Sequence, residues 1–260
     1  MTNILSPHQL TVATRFLDEQ AKAREHLVVA LSGAHAYGFP SPDSDLDLKA
    51  VHVEPARELL GLEPRSRARE LLLVIEGVEV DYSSNEVQGV LRGVVAGNGN
   101  YVERLLGHLA LVTSPALEAL RPLVSAVLSR RVYRHYQGFA RQQLRAWEAS
   151  GFQSAKKLLY VVRTTLTGTH LLRTGQLETD VTRLLAPYAL EDVRALVEAK
   201  RQGELAALPE ALSREWLTRV EALFTRLDDA RDTSSLPAEP LPEAVGDLEA
   251  WLLALRRTTW

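Results

Sequence analysis

The chain has 260 residues, of which 46% are apolar and 24% charged, and its 30 Lys/Arg against 33 Asp/Glu leave a formal net charge of −3. That is the composition of a globular protein with room for one large domain or two smaller ones. The absence of cysteine excludes disulfides and thiolate metal sites, and apolar runs such as HLVVAL are far too short to span a bilayer.

The N-terminus MTNILSPHQLTVATRF lacks the basic start and apolar block of a signal peptide, so a cytoplasmic location is expected. Charge is distributed unevenly. Residues 1–120 carry a balance of −6, residues 121–203 one of +8, and residues 204–260 one of −5. A basic segment inside an acidic chain fits a polyanionic partner bound locally, and it fits solvated helix faces equally well.

In chain order, Ser6-Pro7 reads as a cap and first turn, opening a helix over 7–25. HLVVALSG is a β-branched run ending in glycine, a buried strand. AHAYGFPSPDS is rich in turn formers and reads as loop, with Asp43 and Ser44 shaping the turn. DLDLKAVHV alternates: Leu46, Leu48, Ala50 and His52 share one face, and Asp45, Asp47, Lys49 and Val51 the other. EPARELLGL reads as a short helix. RELLLVIEGVEVDYSS reads as two strands joined tightly at Glu76-Gly77. SNEVQGVLRGVVAG and NGNYVERLLG read as helices.

From about Ser114 strand-like runs disappear. Amphipathic segments follow at 115–149, 153–175, 189–202 and 209–231, then a proline-rich link and a last helix at 243–257. Trp147, Trp216, Trp251 and Trp260 read as packing residues of these helices. The expected fold class is α+β, a mixed β-sheet with flanking helices over 1–113 followed by an all-α domain over 114–260.

The chemistry lies in the first half. Residues two apart on a strand point to one side, so Asp45 and Asp47 converge, and two carboxylates that close repel unless a cation lies between them. All-oxygen ligation favours magnesium or manganese. A third carboxylate from a neighbouring strand would complete the cage; Asp81 is the candidate and Glu79 its competitor. A strand ending in Ser32-Gly33 lets backbone N–H groups approach a phosphate closely. Phosphates beside paired metals make a phosphoryl-transfer site.

SGAHAYGFPSPDSDLDLKAV resembles the signature of the DNA polymerase β-like nucleotidyltransferase superfamily: a Ser-Gly step, a spacer, an Asp-x-Asp pair and a later strand acid. The PDSDLDL form is similar to the bacterial RNA-repair-pathway polymerase β family, as are VEVDYSSNEVQGVLRGVVAGNGNYVERLLG, with Asn98 and Glu103 on its turn, and AKKLLYVVRTTLTGTHLLRTGQL. The resemblance covers about residues 26–177. It implies Ser32 and Gly33 at the phosphates, Asp45 and Asp47 on two magnesium or manganese ions, Asp81 on the catalytic one, and a nucleoside triphosphate (NTP) donor. A basic residue soon after the Asp pair is a family habit that Lys49 satisfies, with no role assigned to it.

His35 and Tyr37 lie in the loop between the phosphate step and the aspartates, within reach of a donor. Lys156, Tyr160 and Arg163 recur at i, i+4 and i+7, a face suited to triphosphate charge and base stacking, or else an ordinary amphipathic helix with its aromatic in the core. Arg130, Arg131, Arg134 and His135 form a second basic cluster, which would follow a nucleic-acid backbone or simply be surface. The expected activity is transfer of a nucleoside monophosphate from NTP to an acceptor hydroxyl. An RNA end met by the basic segment 121–203 is one acceptor; a protein or small-molecule hydroxyl is another. A catalytically silent nucleotide-binding regulator is the reading of a different class.

Overall fold

A computed structural model of the chain describes residues 4–60, 62, 68–203 and 207–260. By contact density the chain forms two compact units. One comprises 1–35, 45–128 and 240–260, the other 36–44 and 129–239.

The first unit is built on a five-stranded sheet in the order β3-β4-β2-β1-β5. Its strands are β1 (Glu25–Leu31), β2 (Leu46–Val53), β3 (Arg69–Ile75), β4 (Val78–Glu86) and β5 (Ala110–Thr113). The sheet is mixed: β2 runs parallel to β4, and the other three pairs are antiparallel. Helix α1 (Pro7–Ala21) is shorter than expected because β1 already begins at Glu25. Its start carries the full capping box: Ser6 Oγ accepts from Gln9 N–H, and the Gln9 side chain accepts from Ser6 N–H. Val12, Ala13, Phe16 and Leu17 of α1 pack on Leu46, Leu48, Ala50, Val80 and Tyr82, so the alternation in β2 and β4 buries one face of the sheet.

The tight turn expected between β3 and β4 is present. Glu76 and Gly77 both have positive φ, 51° and 80°, as a two-residue hairpin of the primed type requires. Two elements were not expected. The spacer after Ser32 opens with a short helix, α2 (Gly33–Tyr37), and the run before Ser114 forms β5 on the edge beside β1. EPARELLGL yields α3 (Ala56–Leu60), with Gly61 outside the described residues. The helices α4 (Val87–Val95), α5 (Gly99–Leu106) and α6 (Pro115–Ala126) complete this unit, together with α12 (Pro242–Thr258) at the C-terminal end. That last helix packs on α6, and its Arg256 pairs with Glu86 at the end of β4. The boundary therefore falls after Leu128, where the 115–149 segment breaks, and the final helix joins the sheet.

The second unit holds α7 (Val132–Ala149), α8 (Ala155–Thr174), α9 (Val181–Leu184), α10 (Arg194–Arg201) and α11 (Glu210–Asp232). Helix α8 is its centre. It contacts α7, α9, α10 and α11, and 14 of its residues are buried, so it is not amphipathic as its sequence suggested. Gly168 makes this possible, because a Cβ there would run into the Tyr136 side chain of α7. Trp147 and Trp216 are buried here as expected, whereas Trp260 of the sheet unit is 81% exposed. Among the described residues no helix is long and apolar enough to cross a membrane.

Two histidines are buried on strands β1 and β2. His26 contacts Tyr82 Oη at 2.8 Å, and His52 Nδ1 lies 2.7 Å from Ser84 Oγ, with Glu54 Oε1 3.2 Å from its Nε2. Burial, followed by the positive charge of Arg24, His26 and Arg256, lowers the His52 pKa from 6.5 to about 4. Between those values the unfolded chain takes up a proton that the folded chain refuses, so stability falls as pH falls through this window. Denaturant unfolding from pH 7 to pH 4 is expected to show that loss, and His52→Gln is expected to flatten it; an unchanged pH slope in the variant would contradict the assignment.

Candidate active site

Strand β2 carries its polar residues on the face opposite α1. Asp47 and Lys49 are half-buried there, and Asp45 immediately precedes the strand. The parallel register with β4 sets Asp47 beside Asp81, and Lys49 beside Ser83. Asp81 is therefore the acid directly beside Asp47, while Glu79, two residues earlier on β4, shares its face. Lys49 Nζ lies 2.8 Å from Asp81 Oδ2 and 3.6 Å from Asp47 Oδ1. Its side chain is 18% exposed, against 17% for Asp47 and 43% for Asp81. Lys49 and Asp47 are thus largely shielded from water while Asp81 is the open member of the trio.

The Ser-Gly step comes to the same place. Ser32 N–H donates to Asp47 O at 2.9 Å, which ties the end of β1 to the start of the acidic strand. That donor is therefore committed to the sheet, and any anion cradle here is left to the Ser32 hydroxyl and the backbone beyond it. Gly33 has φ of 61°, and a Cβ built on it would fall on the Asp47 carboxylate. Glycine at 33 is thus required twice, by its backbone conformation and by the closeness of Asp47. His35 is buried on α2.

Sequence reasoning passed over Arg104. It reaches from α5 to Asn85 Oδ1 and, at 3.4 Å, to Ser83 Oγ, the polar residues that follow Asp81 on β4. Together with Lys49, Glu70, Leu71, Leu72, Asp81 and Ser83 it lines a cleft of about 510 Å³. The available signal was the Ser-x-Asn alternation after Asp81, which continues the polar face by two more steps. Asn98 caps α5, its side chain accepting from Asn100 N–H at 3.0 Å.

Lys156, Tyr160 and Arg163 lie on α8 in the helical unit. Lys156 is half-buried, while Arg163 is 2% exposed with its guanidinium 3.5 Å from the Tyr37 ring centroid. Tyr160 meets Tyr37 and Phe39 edge-on. Within this unit Tyr160 and Arg163 grip the 36–44 segment, and Lys200 does the same, its Nζ donating to Ser41 Oγ at 2.7 Å and Ser44 Oγ at 2.9 Å. Much of the positive charge of 121–203 has acidic partners inside the unit: Arg131 with Glu239, Arg141 with Glu221, and Arg183 with Glu178 and Asp180.

The fit of a divalent cation can be read from the donors. Among the described residues, no three His, Asp or Glu side chains gather closely enough to form a ready-made cage. Asp47 and Asp81 nevertheless flank one cationic group, the Lys49 ammonium, and every nearby carboxylate is a hard oxygen donor of the kind magnesium and manganese take. The site fits such an ion in charge and in donor type.

A family model described as the RNA repair pathway DNA polymerase beta family matches residues 12–254. The chain belongs to that family. Two relatives are the uncharacterized protein MJ0002 of Methanocaldococcus jannaschii, 27% identical over 82% of this chain and 88% of the relative, and the uncharacterized protein YcgL of Bacillus subtilis, 26% identical over 73% and 77%. A nucleotidyltransferase-like protein from Exiguobacterium sibiricum aligns over 96% of this chain and 80% of its own with 10% identity and a TM-score of 0.35. Family membership makes this a polymerase β-like nucleotidyltransferase.

Gly33→Ala is expected to cost about 1–3 kcal/mol in denaturant unfolding, from strained backbone and a displaced Asp47 carboxylate. Stability equal to that of the unaltered protein would show that the glycine is not required by this contact.

Proposed function

We propose that the chain transfers a nucleoside monophosphate from an NTP to an acceptor hydroxyl with release of pyrophosphate, using magnesium or manganese held by Asp45, Asp47 and Asp81. The observation that carries this reading is the pairing of Asp47 with Asp81 across parallel strands around a cationic group, beside a glycine whose Cβ would displace the Asp47 carboxylate.

Bound at these carboxylates, divalent ions would polarise the phosphoryl oxygens and make the acceptor hydroxyl easier to deprotonate. The protein's own groups divide the remaining work. Asp47 is fixed by the strand and by its contact with the 32–33 step, and orients what binds between them. Asp81 is the more exposed acid and borders the cleft toward β3, so its carboxylate takes the acceptor proton. The acceptor oxygen forms its bond to the α-phosphorus as the bond from that phosphorus to the pyrophosphate oxygen breaks. Arg104 and Ser83 line the cleft on the acceptor side. The family description favours an RNA end as acceptor. The ion pairs that occupy much of the basic segment favour a smaller acceptor, a protein or metabolite hydroxyl, as the second reading.

The test is an α-labelled NTP supplied with magnesium or manganese to RNA, protein and small-molecule acceptors in parallel. Label in one acceptor with stoichiometric pyrophosphate supports transfer. Nucleotide binding without pyrophosphate from any acceptor contradicts it and leaves a binding module. Asp47→Asn and Asp81→Asn are each expected to lower turnover by at least about 100-fold while circular dichroism stays unchanged. Retention of full turnover by either variant would remove that residue from the site.

A further inference from the structure

Lys49 is the residue for which transfer chemistry gives no obvious task. Its ammonium sits where two carboxylates of opposing strands meet, 2.8 Å from Asp81 and 3.6 Å from Asp47. The register makes this position inevitable: Lys49 follows Asp47 by two on β2, so it projects from the same face and can reach diagonally to the partner of Asp47 on β4. A lysine has four methylenes and three rotatable donors, so the same stem can move its charge several ångströms without moving the strand. Ser83 is its register neighbour, and the open cleft that it lines together with Asp81 and Arg104 leaves room for that swing.

We infer that Lys49 is an exchangeable internal cation. In the metal-free protein its ammonium neutralises Asp47 and Asp81; a divalent ion entering between them displaces it, and the displaced ammonium then pairs with the phosphates of the donor. The physical basis is charge balance. Two carboxylates held side by side in partial burial keep a cation between them, and an ammonium and a divalent ion cannot both occupy that place. Once expelled, the ammonium is repelled by the incoming ion and attracted to the polyanion the ion brings. The lysine thereby keeps the empty site folded and its carboxylates aligned, and it makes metal entry cooperative with donor entry.

The second half of this inference, pairing with the donor phosphates, rests on the nucleotidyl-transfer reading; the first half does not. Mn²⁺ binding, followed by electron paramagnetic resonance or calorimetry, is measured without nucleotide on the unaltered protein, Lys49→Met and Lys49→Arg. It is then repeated with a non-hydrolysable NTP analogue. Removing the competing ammonium is expected to tighten Mn²⁺ alone several-fold to about tenfold in Lys49→Met, while weakening the Mn²⁺-loaded analogue by a similar factor. Lys49→Arg keeps the charge and is expected to bind Mn²⁺ alone as the unaltered protein does. A purely structural lysine would move both affinities in one direction. Mn²⁺ affinity unchanged or weakened in Lys49→Met overturns the exchange, and an unchanged affinity for the loaded analogue overturns the pairing with phosphate. If Lys49→Met does not fold, Lys49→Gln carries the same comparison with the same outcomes. Normal exchange alongside absent transfer would sink the enzymatic reading and leave Lys49 as assigned. Transfer with no effect of Lys49 on metal affinity would do the reverse.

Discussion

One parallel strand pair organises the acidic face of this protein's sheet. Strand β2 alternates apolar and charged residues, β4 does the same, and their register sets Asp47 beside Asp81 with the Lys49 ammonium against both. A shift of one residue would turn the acids into the core under α1 and Leu48 toward solvent. The apolar face therefore enforces the position of the polar one: Leu46, Leu48 and Ala50 against Val12, Ala13 and Phe16 leave the strand one way to lie. Burial on the back side of β2 thus fixes which way its acids point.

The same sheet accommodates polar groups at its buried end by pairing them. His26 bonds Tyr82 and His52 bonds Ser84 through Nδ1, and burial keeps both rings neutral at the cost of acid sensitivity. Arg256 of the last helix reaches Glu86 and the Glu54 carbonyl, which ties residues more than 200 positions apart to one sheet. In the helical unit, Arg163, Tyr160 and Lys200 are built into the packing of the 36–44 segment. Their charge and aromaticity there serve local structure, and the covalent chain runs from that segment directly into Asp45.

What could be read from residues in order was what local chemistry dictates. The Ser-Gly step, the Asp-x-Asp alternation and the Glu76-Gly77 turn carry their structural reasons within a few residues, and each stands where it was expected. What escaped depended on distant partners. Strand β5 is four residues long and exists because β1 offers an edge. Helix α8 looked amphipathic because it carries Lys156, Lys157 and Arg163, yet four other helices surround it. Arg104 could not be tied to the acidic face without knowing that α5 lies over β4's polar residues. That Asp81 stands directly beside Asp47 needed the register, which alternation alone does not supply. The return of the last helix to the sheet unit had no local signal at all.

The central claim is that Asp47 and Asp81 share a single cation, and the most direct measurement is anomalous diffraction from crystals grown with Mn²⁺ and a non-hydrolysable NTP. The account predicts a manganese peak bonded to carboxylate oxygens of both residues, in the place the Lys49 ammonium takes in the absence of metal. A manganese ion bound away from both carboxylates, with the Lys49 ammonium still between them, would contradict it.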